Sequence, residues 1–455
     1  MNEILHRAGD IVWGPWTTLL VLLAGAWFSV RGGFPQVAGF RRWWSTTVGS
    51  VFSSSDGEKQ EKEKKKISPL QSTLTALAGT LGTGNIVGVA AALAAGGPGA
   101  IFWMWIAGLL GMMTAFVENY LGVLYRRRDE RGGWLGGPML YISEGLGLRR
   151  LGGLWAALCA AAAFGMGNMA QVNAIAVSAG NAWHIPRWVT GVVMTLLAAP
   201  VVMGGMRGVT RLTSRLVPVM AGLYLLGCAA VLAVNFRAVP SALLDIVRCA
   251  FRPGAAGGGV LGAVLVGVRR GVFTNEAGLG TSVMVHSAAE TTPEKQGMWG
   301  MFEVFADTLV MCTVTALVIL TSGVPYAGKS DGASVSAQAF GCVLGQFSPH
   351  FISLALMLFA YATLAAWSCS GERAFGYLFG ANRSWLYRLA YCAAIIPAAV
   401  MEMDAVWSLS DILNGLLAVI NIVCIAALWH CHAPKQKSFN QLFLKKLRGV
   451  GRRPT

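Results

Sequence analysis

Two stretches of the sequence place polar side chains inside apolar runs, and either could bind a small ligand or an ion. The first, residues 79–88, reads GTLGTGNIVG and holds four glycines beside Thr80, Thr83 and Asn85. Glycine disfavours a continuous helix, so the centre of this run is expected to be unwound. Unwound backbone offers carbonyl oxygens to a cation, and the helix that resumes after it offers amides to an anion. Close packing through small residues is the competing interpretation.

The second stretch reads GVRRGVFTNEAGLGTS and carries four strongly polar side chains within eight residues. Such a segment is too polar to face lipid, so it either lines a water-filled path or pairs internally. Salt bridges of Arg269 or Arg270 with Glu276 are the internal option. Thr274 and Asn275 cannot neutralise a charge, and we expect them to face a ligand.

The composition is that of a membrane protein and excludes a soluble one. Charged residues make up 13% of the 455 positions and hydrophobic residues 55%, whereas soluble domains are about 25% charged. Eleven stretches reach the length of about 20 apolar residues that crosses a bilayer. They cover residues 10–30, 70–96, 99–125, 152–182, 187–205, 216–236, 257–289, 298–323, 350–370, 384–401 and 408–432. The net charge of +15 falls in loops and tail, so a nucleic-acid partner is not indicated.

These stretches predict an all-α polytopic membrane protein of eleven transmembrane helices, one N-terminal helix followed by a core of ten. The two interruptions fall in residues 70–96 and 257–289, which are the first and sixth of those ten. Interrupted helices five spans apart cross the membrane in opposite directions, which is typical of an inverted repeat of five plus five helices. Ligands bind where such repeats meet, so the site is expected between the two interruptions.

The distribution of positive charge predicts the orientation. With the N-terminus outside, 28 of the 36 Lys and Arg residues fall in inner loops or the tail, and 6 fall outside. This predicts an exterior N-terminus, a cytoplasmic C-terminus and a bacterial cytoplasmic (inner) membrane. Four parts are expected: an N-terminal transmembrane helix with its inner loop (1–52), a charged linker (53–67), a ten-helix transporter core (68–432) and a basic cytoplasmic tail (433–455).

Several longer motifs, taken together and in this order, resemble a known family. They are GTLGTGNIVGVAAALAAGGPGAIFWMWIAGLLGM (79–112), GGPMLYI (136–142), GMGNMAQVNAIA (165–176), GVRRGVFTNEAGLGTSVMVHSAAET (267–291), VFADTLVMCTVTALVIL (304–320) and GERAFGYLFG (371–380). They are similar to the alanine or glycine:cation symporters, also called sodium:alanine symporters, which have the leucine-transporter fold. The resemblance implies a secondary symporter that couples sodium entry to uptake of small neutral amino acids such as alanine or glycine. Sodium would be co-transported, and no further cofactor is implied.

The resemblance also implies which residues form the sites. Main-chain amides at the first interruption would receive the substrate carboxylate, and oxygens beside them would hold sodium. The implied substrate-binding residues are Gly82, Thr83, Gly84, Asn85, Met166, Gly167, Asn168, Gln171, Phe273, Thr274, Asn275, Thr363 and Trp367. The implied residues around the cation are Ala78, Thr80, Leu81, Asn85, Thr274 and Thr363.

One position departs from the family pattern. Where the family commonly reads Phe-Ser-Thr-Ile-Leu-Gly-Trp, residues 361–367 read YATLAAW, so Ala362 replaces a serine beside Thr363. In this fold two neighbouring hydroxyls help to hold sodium against first-helix carbonyls, here those of Ala78 and Leu81. The lost oxygen is expected to weaken the sodium site, which leaves sodium or proton coupling open.

For several other polar residues, a purely structural role is weighed against a functional one. Asp307 lies within a span and either serves function or forms a salt bridge with Arg269 or Arg270. His286 is expected to be a hydrogen-bonded packing residue, and Trp407, at a span end, an interfacial anchor. Two acid–base pairs near the inner surface are expected to form salt bridges or to act as a gate, and not to contact substrate. They are Glu118 with Arg126 and Glu372 with Arg373.

Other function classes fit the sequence less well. No HExxH motif is present, and no Asp and His side chains cluster at membrane depth, which disfavours a membrane enzyme. The stretch GVPYAGKSDG (323–332) matches the GxxxxGK[ST] and GxSxG patterns, but it lies in a loop after an apolar span and does not join a strand to a helix, so it indicates neither a nucleotide-driven pump nor a serine hydrolase. Channels usually repeat pore elements by oligomerisation rather than within one chain, so a channel is disfavoured as well. A proton-coupled amino-acid transporter of the same fold remains the main alternative. The lipid bilayer is the expected surrounding partner, and the oligomeric state is left open.

Overall fold

The computed structural model describes residues 2–53, 67–129, 132–252, 259–328 and 332–432. These residues are mostly helical, and the strands among them are two short antiparallel partners, β1 (Arg127–Arg128) and β2 (Trp134–Leu135). The predicted basic tail and the predicted linker, apart from the linker's two end residues, lie outside the described ranges.

The helices follow one another through short connections. The α-helices are α1 (Asn2–Val12), α2 (Pro15–Gly32), α3 (Pro35–Ala38), α4 (Phe40–Thr46), α5 (Val48–Ser53), α6 (Pro69–Thr80), α7 (Val87–Gly96), α8 (Pro98–Leu124), α9 (Pro138–Leu140), α10 (Arg149–Ala162), α11 (Ala170–Trp183), α12 (Arg187–Met203), α13 (Gly205–Val234), α14 (Val239–Cys249), α15 (Gly259–Asn275), α16 (Val283–His286), α17 (Pro293–Val304), α18 (Thr313–Thr321), α19 (Gly332–Leu344), α20 (Ser348–Phe379), α21 (Ser384–Ala393), α22 (Ile395–Val400) and α23 (Met403–His432). Stretches of π-helix occur at Tyr141–Gly145, Ala163–Met169 and Phe305–Cys312. Single 3₁₀ turns occur at Thr83–Asn85, Phe236–Ala238, Gly345–Phe347 and Ala381–Arg383.

Seven helical stretches in the described part of the chain are long and apolar enough to cross a membrane. They are Arg7–Gly32, Pro98–Leu124, Arg149–Trp183, Gly205–Val234, Pro293–Thr321, Gly332–Phe379 and Val406–Cys431. Two shorter apolar helices, Val87–Gly96 and Arg187–Met203, accompany them. The chain is therefore a multi-pass helical membrane protein. The sequence-based count of eleven spans stays a prediction.

The interruption predicted at residues 79–88 is present. Helix α6 begins with a capping box, in which Ser68 and Gln71 each bond the other's backbone, and with Pro69 in its first turn. It ends at Thr80, and the chain makes a 3₁₀ turn before α7 resumes. The glycines between the two half-helices lower the cost of leaving the helix here.

The second predicted interruption is also present, after α15. Glu276 has a φ of 56°, and Gly278 and Gly280 follow with φ of 97° and 80°. A β-carbon on Gly280 would lie 2.4 Å from Cγ of Pro138, so glycine suits both the backbone angle and the space. Helical structure returns only as the short α16. Helix α15 therefore ends in the protein interior with its last residues directed at the first interruption.

Helix α8 is the scaffold against which the elements around the second interruption pack. A β-carbon on Gly267 of α15 would lie 2.3 Å from the carbonyl oxygen of Ala100, and one on Gly300 of α17 would lie 3.0 Å from that of Ala115. Close backbone approach through glycine is the usual way in which membrane helices associate. This packing holds α15 and α17 on one rigid support beside the site.

Candidate functional site

The two interruptions meet in the interior. A β-carbon on Gly84 would lie 2.8 Å from Cγ2 of Thr274, so the turn of the first interruption rests on the end of α15. On the other side of the turn, a β-carbon on Gly82 would lie 2.8 Å from Oγ1 of Thr363 and 3.5 Å from Oε1 of Gln171. Residues that the sequence predicted as one site, from four separate segments, are thus neighbours.

Asn85 organises the turn of the first interruption. Its side-chain oxygen accepts a hydrogen bond from the backbone N–H of Gly82 at 3.1 Å. Its amide nitrogen donates to Oδ1 of Asp307 at 2.6 Å and lies 3.4 Å from Sγ of Cys312. An amide oxygen has two lone pairs, so the Asn85 oxygen keeps one for a further partner.

Asp307 lies beside the first interruption, and the alternative that it forms a salt bridge with Arg269 or Arg270 is wrong. Its buried carboxylate accepts from Asn85 at 2.6 Å and from Thr308 at 2.9 Å. It lies in the π-helical stretch Phe305–Cys312, a distortion often found at functional sites. Within the described ranges no Lys or Arg neutralises it, so a proton or a bound cation must compensate its charge.

Thr274 and Asn275 are held by protein partners at the end of α15. The Thr274 hydroxyl donates to the Gly271 carbonyl at 2.9 Å and lies beside the Asp307 carboxylate. The Asn275 amide donates to Oγ1 of Thr308 at 2.9 Å, and its oxygen accepts from the N–H of Ala277 at 2.9 Å. Thr274 therefore faces the gathered residues, whereas Asn275 ties the end of α15 to the neighbouring helix.

A second group of oxygens converges at Thr363. Its hydroxyl oxygen lies 2.9 Å from the carbonyl oxygen of Ala78, 3.1 Å from that of Phe359 one turn back in its own helix, and 3.4 Å from that of Leu81. A single hydroxyl proton cannot serve all three acceptors, and converging neutral oxygens are the donor set that sodium prefers. The methyl group of Ala362 is buried beside them. Thr80 was predicted with this group, but the hydrogen bond that its hydroxyl makes among the described residues is to the Leu77 carbonyl of its own helix, at 3.4 Å.

The π-helical stretch Ala163–Met169 supplies the facing wall. Gln171, just beyond it, donates to the Met166 carbonyl at 3.1 Å, while its Oε1 is buried with no hydrogen-bond partner among the described residues. The hydroxyl oxygen of Thr83 is likewise buried with no hydrogen-bond partner among the described residues. Two such atoms beside one glycine turn are what a site for a polar ligand requires, because buried polar groups are otherwise paired.

The other two residues predicted from this wall have packing contacts. A β-carbon on Gly167 would lie 2.3 Å from Cβ of Trp367, so Gly167 lets the two helices touch. The Asn168 amide donates to the carbonyl of Tyr391 at 2.6 Å, which directs the side chain toward α21 and away from the interruptions. The structure therefore does not bring Asn168 to the gathered residues.

Glu276 bonds to tryptophan and threonine, so of the two alternatives that the sequence left open, the salt bridge to Arg269 or Arg270 is wrong. Trp367 donates its indole N–H to Oε1 of Glu276 at 2.9 Å, and Thr281 donates to Oε2 at 2.5 Å. Phe273, one turn before the break, lies with its ring centre 5.4 Å from that of Trp407. Trp407 thus covers a predicted substrate residue, a role that its position at a span end did not reveal.

Two arginines that the sequence places near the inner surface bind backbone carbonyls. Arg126 donates to the carbonyls of Ser287 at 3.1 Å, Thr291 at 3.0 Å and Ala289. Arg373 donates to those of Met284 and Trp134. Glu372 forms a salt bridge as predicted, but with Arg388 and not with Arg373. The predicted pairing of Glu118 with Arg126 is wrong, because Glu118 bonds Asn421.

His286 is a buried, hydrogen-bonded packing histidine, as predicted. One ring nitrogen lies 2.8 Å from Oε2 of Glu303 and the other 2.5 Å from the amide of Gln296. Among the described residues, no group of three or more His, Cys, Asp or Glu side chains could hold a metal ion. Any cation at this site would rely on hydroxyl, amide and carbonyl oxygens with one carboxylate.

Two interrupted helices whose breaks meet in the interior of a multi-pass helical protein are typical of the leucine-transporter fold. The model of the sodium:alanine symporter family matches residues 1–448, and the chain belongs to that family. Its relatives are transporters, not enzymes.

Similarity to named proteins is strong in sequence and more distant in structure. The chain is 36% identical to the sodium/alanine symporter AgcS of Methanococcus maripaludis over 97% of both chains. It is 35% identical to the amino-acid carrier protein AlsT of Bacillus subtilis, over 94% of this chain and 90% of the other. The crystal structure of MhsT in complex with L-phenylalanine aligns with a TM-score of 0.58 at 13% identity, over 85% of this chain and 93% of that one. That likeness bears on the fold alone.

Proposed function

We propose that the protein couples sodium entry to the uptake of small neutral amino acids such as alanine or glycine. The observation that carries the proposal is the convergence of the Thr363 hydroxyl on the carbonyls of Ala78 and Leu81, directly beside the glycine turn of the first interruption. An ion bound there would hold the end of α6 against α20. Sodium would thereby stabilise the helix ends that present the substrate site.

The amino acid is proposed to lie between the turn of the first interruption and the facing wall. Backbone amides of Thr83 and Gly84 would receive its carboxylate at the start of a half-helix, where the helix dipole favours negative charge. The free oxygen of Gln171 would accept from its ammonium group. The buried side chains of Met166 and Trp367 would form the remaining walls, and their bulk would leave room for a small side chain only.

A second cation position is proposed between Asn85, Thr274 and Asp307. The three side chains lie together, and Asp307 is the one formal negative charge among them. An ion at this point would touch both interruptions, because Asn85 belongs to the first and Thr274 to the second. Binding of ion and substrate would then favour the same arrangement of the two broken helices, which is the requirement for coupled transport.

The proposed architecture follows the sequence prediction. It has eleven spans, an N-terminal helix ahead of five plus five helices in inverted repeat, and a cytoplasmic-membrane location with the N-terminus outside. Reporter fusions after residue 60 and after residue 440 should both report the cytoplasm. An exterior signal from either fusion would contradict this arrangement.

Proton coupling is the second candidate, and one observation favours it. Four buried carboxyl groups have no Lys or Arg partner in the described part of the chain, namely those of Glu118, Glu276, Glu303 and Asp307. Buried carboxylates without a cation are costly, so each must hold a proton or compensating charge. A carboxyl that exchanges its proton during transport would couple uptake to a pH gradient.

Equilibrium binding of labelled alanine to the purified protein tests the proposal. Binding should require sodium, and unlabelled alanine or glycine should displace the label at concentrations at least about tenfold lower than leucine, since each excess methylene in a filled pocket is worth roughly 1–3 kcal/mol. Sodium-independent binding that strengthens at low pH would support the proton-coupled candidate. Tight binding of leucine would contradict the small pocket.

A further inference from the structure

An apolar groove of about 350 Å³ lies on the surface of the protein between α10, α20 and α21. Ala161 and Phe164 line it at the end of α10 and just beyond, Phe375 lines it from α20, and Leu386 and Ala390 line it from α21. None of these side chains can form a hydrogen bond, and all of them lie within or at the ends of stretches predicted to cross the membrane. The groove therefore opens to the hydrocarbon of the bilayer, and its chemistry fits an acyl chain.

Arginines lie at the ends of the two helices that line the groove. Arg150 begins an exposed stripe of α10 that continues at helical spacing through Leu154 to Ala161. Arg383 comes directly before α21, three residues ahead of Leu386. Both arginines are exposed, and within the described ranges neither side chain has a hydrogen bond or a salt bridge. The apolar groove is thus paired with two cationic groups that are free to bind an anion.

The acids that precede these arginines in the chain are already bonded to other residues. Glu144 forms a salt bridge with Arg127 at 3.3 Å, and Glu372 forms one with Arg388. An anion that binds Arg150 or Arg383 must therefore come from outside this part of the chain. A phosphate group suits them, because guanidinium binds phosphate through two parallel hydrogen bonds.

The distance between the arginines and the groove fits one leaflet of a bilayer. At 1.5 Å per residue, Ala161 lies about 16 Å along the helix from Arg150. The hydrocarbon of a single leaflet is about 15 Å thick. In the proposed orientation α10 and α21 both begin at the inner surface, so a phosphate at the two arginines would direct an acyl chain toward the groove.

The groove also touches the wall of the proposed substrate site. Phe164 belongs to the π-helical stretch Ala163–Met169, and its ring packs on that of Tyr387 with 5.1 Å between the ring centres. The Tyr387 hydroxyl donates to the Ala160 carbonyl at 2.9 Å, just before the π-helical stretch begins. An acyl chain packed on these rings would therefore stabilise the distorted segment that carries Met166.

We propose that an anionic phospholipid of the inner leaflet binds at this groove, with its phosphate on Arg150 and Arg383 and an acyl chain against Phe164 and Phe375. The lipid is a resident partner of the protein and not its cargo. Its binding requires neither sodium nor amino acid, so it does not depend on the proposed transport function. It selects the charge of the headgroup through the arginines and the presence of an acyl chain through the groove.

Native mass spectrometry of the detergent-purified full-length protein tests the site, by titration with phosphatidylglycerol or phosphatidylcholine of the same acyl chains. We expect a dissociation constant for phosphatidylglycerol at least about tenfold lower than for phosphatidylcholine. Joint replacement by Arg150→Gln and Arg383→Gln should raise the constant for phosphatidylglycerol at least about tenfold, since each arginine near an anionic headgroup contributes about fivefold. Ala161→Trp, which fills the groove from an exposed position, should weaken phosphatidylglycerol binding as well.

Two matched controls accompany these variants. Joint replacement by Arg237→Gln and Arg248→Gln removes two exposed arginines that are proposed to face the exterior. Leu196→Trp places the same large ring at an exposed position outside the groove. Both controls should bind phosphatidylglycerol as the wild type does.

The thermal midpoint of the wild type gives a second measurement that needs no variant. Phosphatidylglycerol should raise it more than phosphatidylcholine does, and glycerol phosphate, which lacks acyl chains, should not raise it. Equal affinity for the two lipids would overturn the proposal, as would unchanged phosphatidylglycerol binding in either the arginine variant or Ala161→Trp. Equal stabilisation by glycerol phosphate would show an anion site without the groove and would overturn it too.

Discussion

Trp367 donates its indole N–H to the carboxylate of Glu276 at 2.9 Å, and this bond joins α20 to the backbone turn that follows α15. Glu276 has a φ of 56°, an uncommon backbone angle for a residue with a side chain. Its carboxylate is held on both oxygens, by Trp367 and by Thr281. The second interruption is therefore fixed from a helix that also carries Thr363, so the proposed cation site and the proposed substrate site share one support.

Replacement of Trp367 by phenylalanine tests that support. The ring volume is largely kept, but Oε1 of Glu276 loses its donor, and an unsatisfied buried group costs roughly 1–3 kcal/mol. We expect Trp367→Phe to lower the thermal midpoint of the detergent-purified protein and to reduce alanine binding. Trp188→Phe, at an exposed position, should do neither. A wild-type midpoint and affinity in Trp367→Phe would show that the bond is dispensable.

Two glycines of the first interruption test whether transport needs the close contact between the two broken helices. A β-carbon on Gly84 would lie 2.8 Å from Thr274, whereas one on Gly88 would meet no described atom within 4 Å beyond its own helix. Because small displacements at a site can cost about a hundredfold in rate, Gly84→Ala should reduce initial alanine uptake at least tenfold. Gly88→Ala should transport normally. Similar rates for both variants would mean that the interruptions do not need this contact.

The Ala362 position tests the proposed cation site at Thr363. Ala362→Ser would place a hydroxyl beside the Thr363 oxygen, and one ligand to a charged group is worth roughly 1.5–3 kcal/mol. We expect the half-saturating sodium concentration for alanine uptake to fall about tenfold. Ala365→Ser, in the same helix but packed against Val209, is the control and should leave it unchanged. Equal sodium dependence of wild type and Ala362→Ser would show that another group already fills the position.

Asp307 distinguishes the two coupling ions. If sodium binds between Asn85, Thr274 and Asp307, Asp307→Asn removes a charged ligand, and the half-saturating sodium concentration should rise about tenfold. The protein should stay folded, because the amide preserves the shape and removes a buried charge. Glu402→Gln, at an exposed acid, should have no effect. Unchanged sodium dependence together with loss of pH dependence would identify Asp307 as a proton carrier instead.

Local features of the fold could be predicted from the sequence. Glycines and polar residues inside apolar runs indicated both interruptions, because the backbone cost of breaking a helix depends on the residues at the break itself. Gly82, Gly84, Thr274 and Thr363 were predicted as one site and do lie together. The lengths of the apolar runs predicted a multi-pass helical protein for the same local reason.

Pairing of the buried charges could not be predicted from the sequence. A salt bridge of Glu276 with an arginine a few residues away was one of two alternatives, yet its indole partner is 91 residues distant, and Arg269 bonds an acid 142 residues away. Such partners depend on how helices pack and rotate. Asn168 shows the same limit, since it shares a motif with Met166 but faces α21. Hydropathy indicates which segments span the membrane, but it does not determine the direction in which each side chain points.

Alanine uptake into proteoliposomes, measured with and without an inward sodium gradient at equal internal and external pH, tests the central claim most directly. The convergence of Thr363 with the carbonyls of Ala78 and Leu81 predicts accumulation above equilibrium with the sodium gradient and only equilibration when choline replaces sodium. Accumulation driven by a pH gradient without sodium would contradict sodium coupling. Equilibration under every gradient would contradict symport altogether.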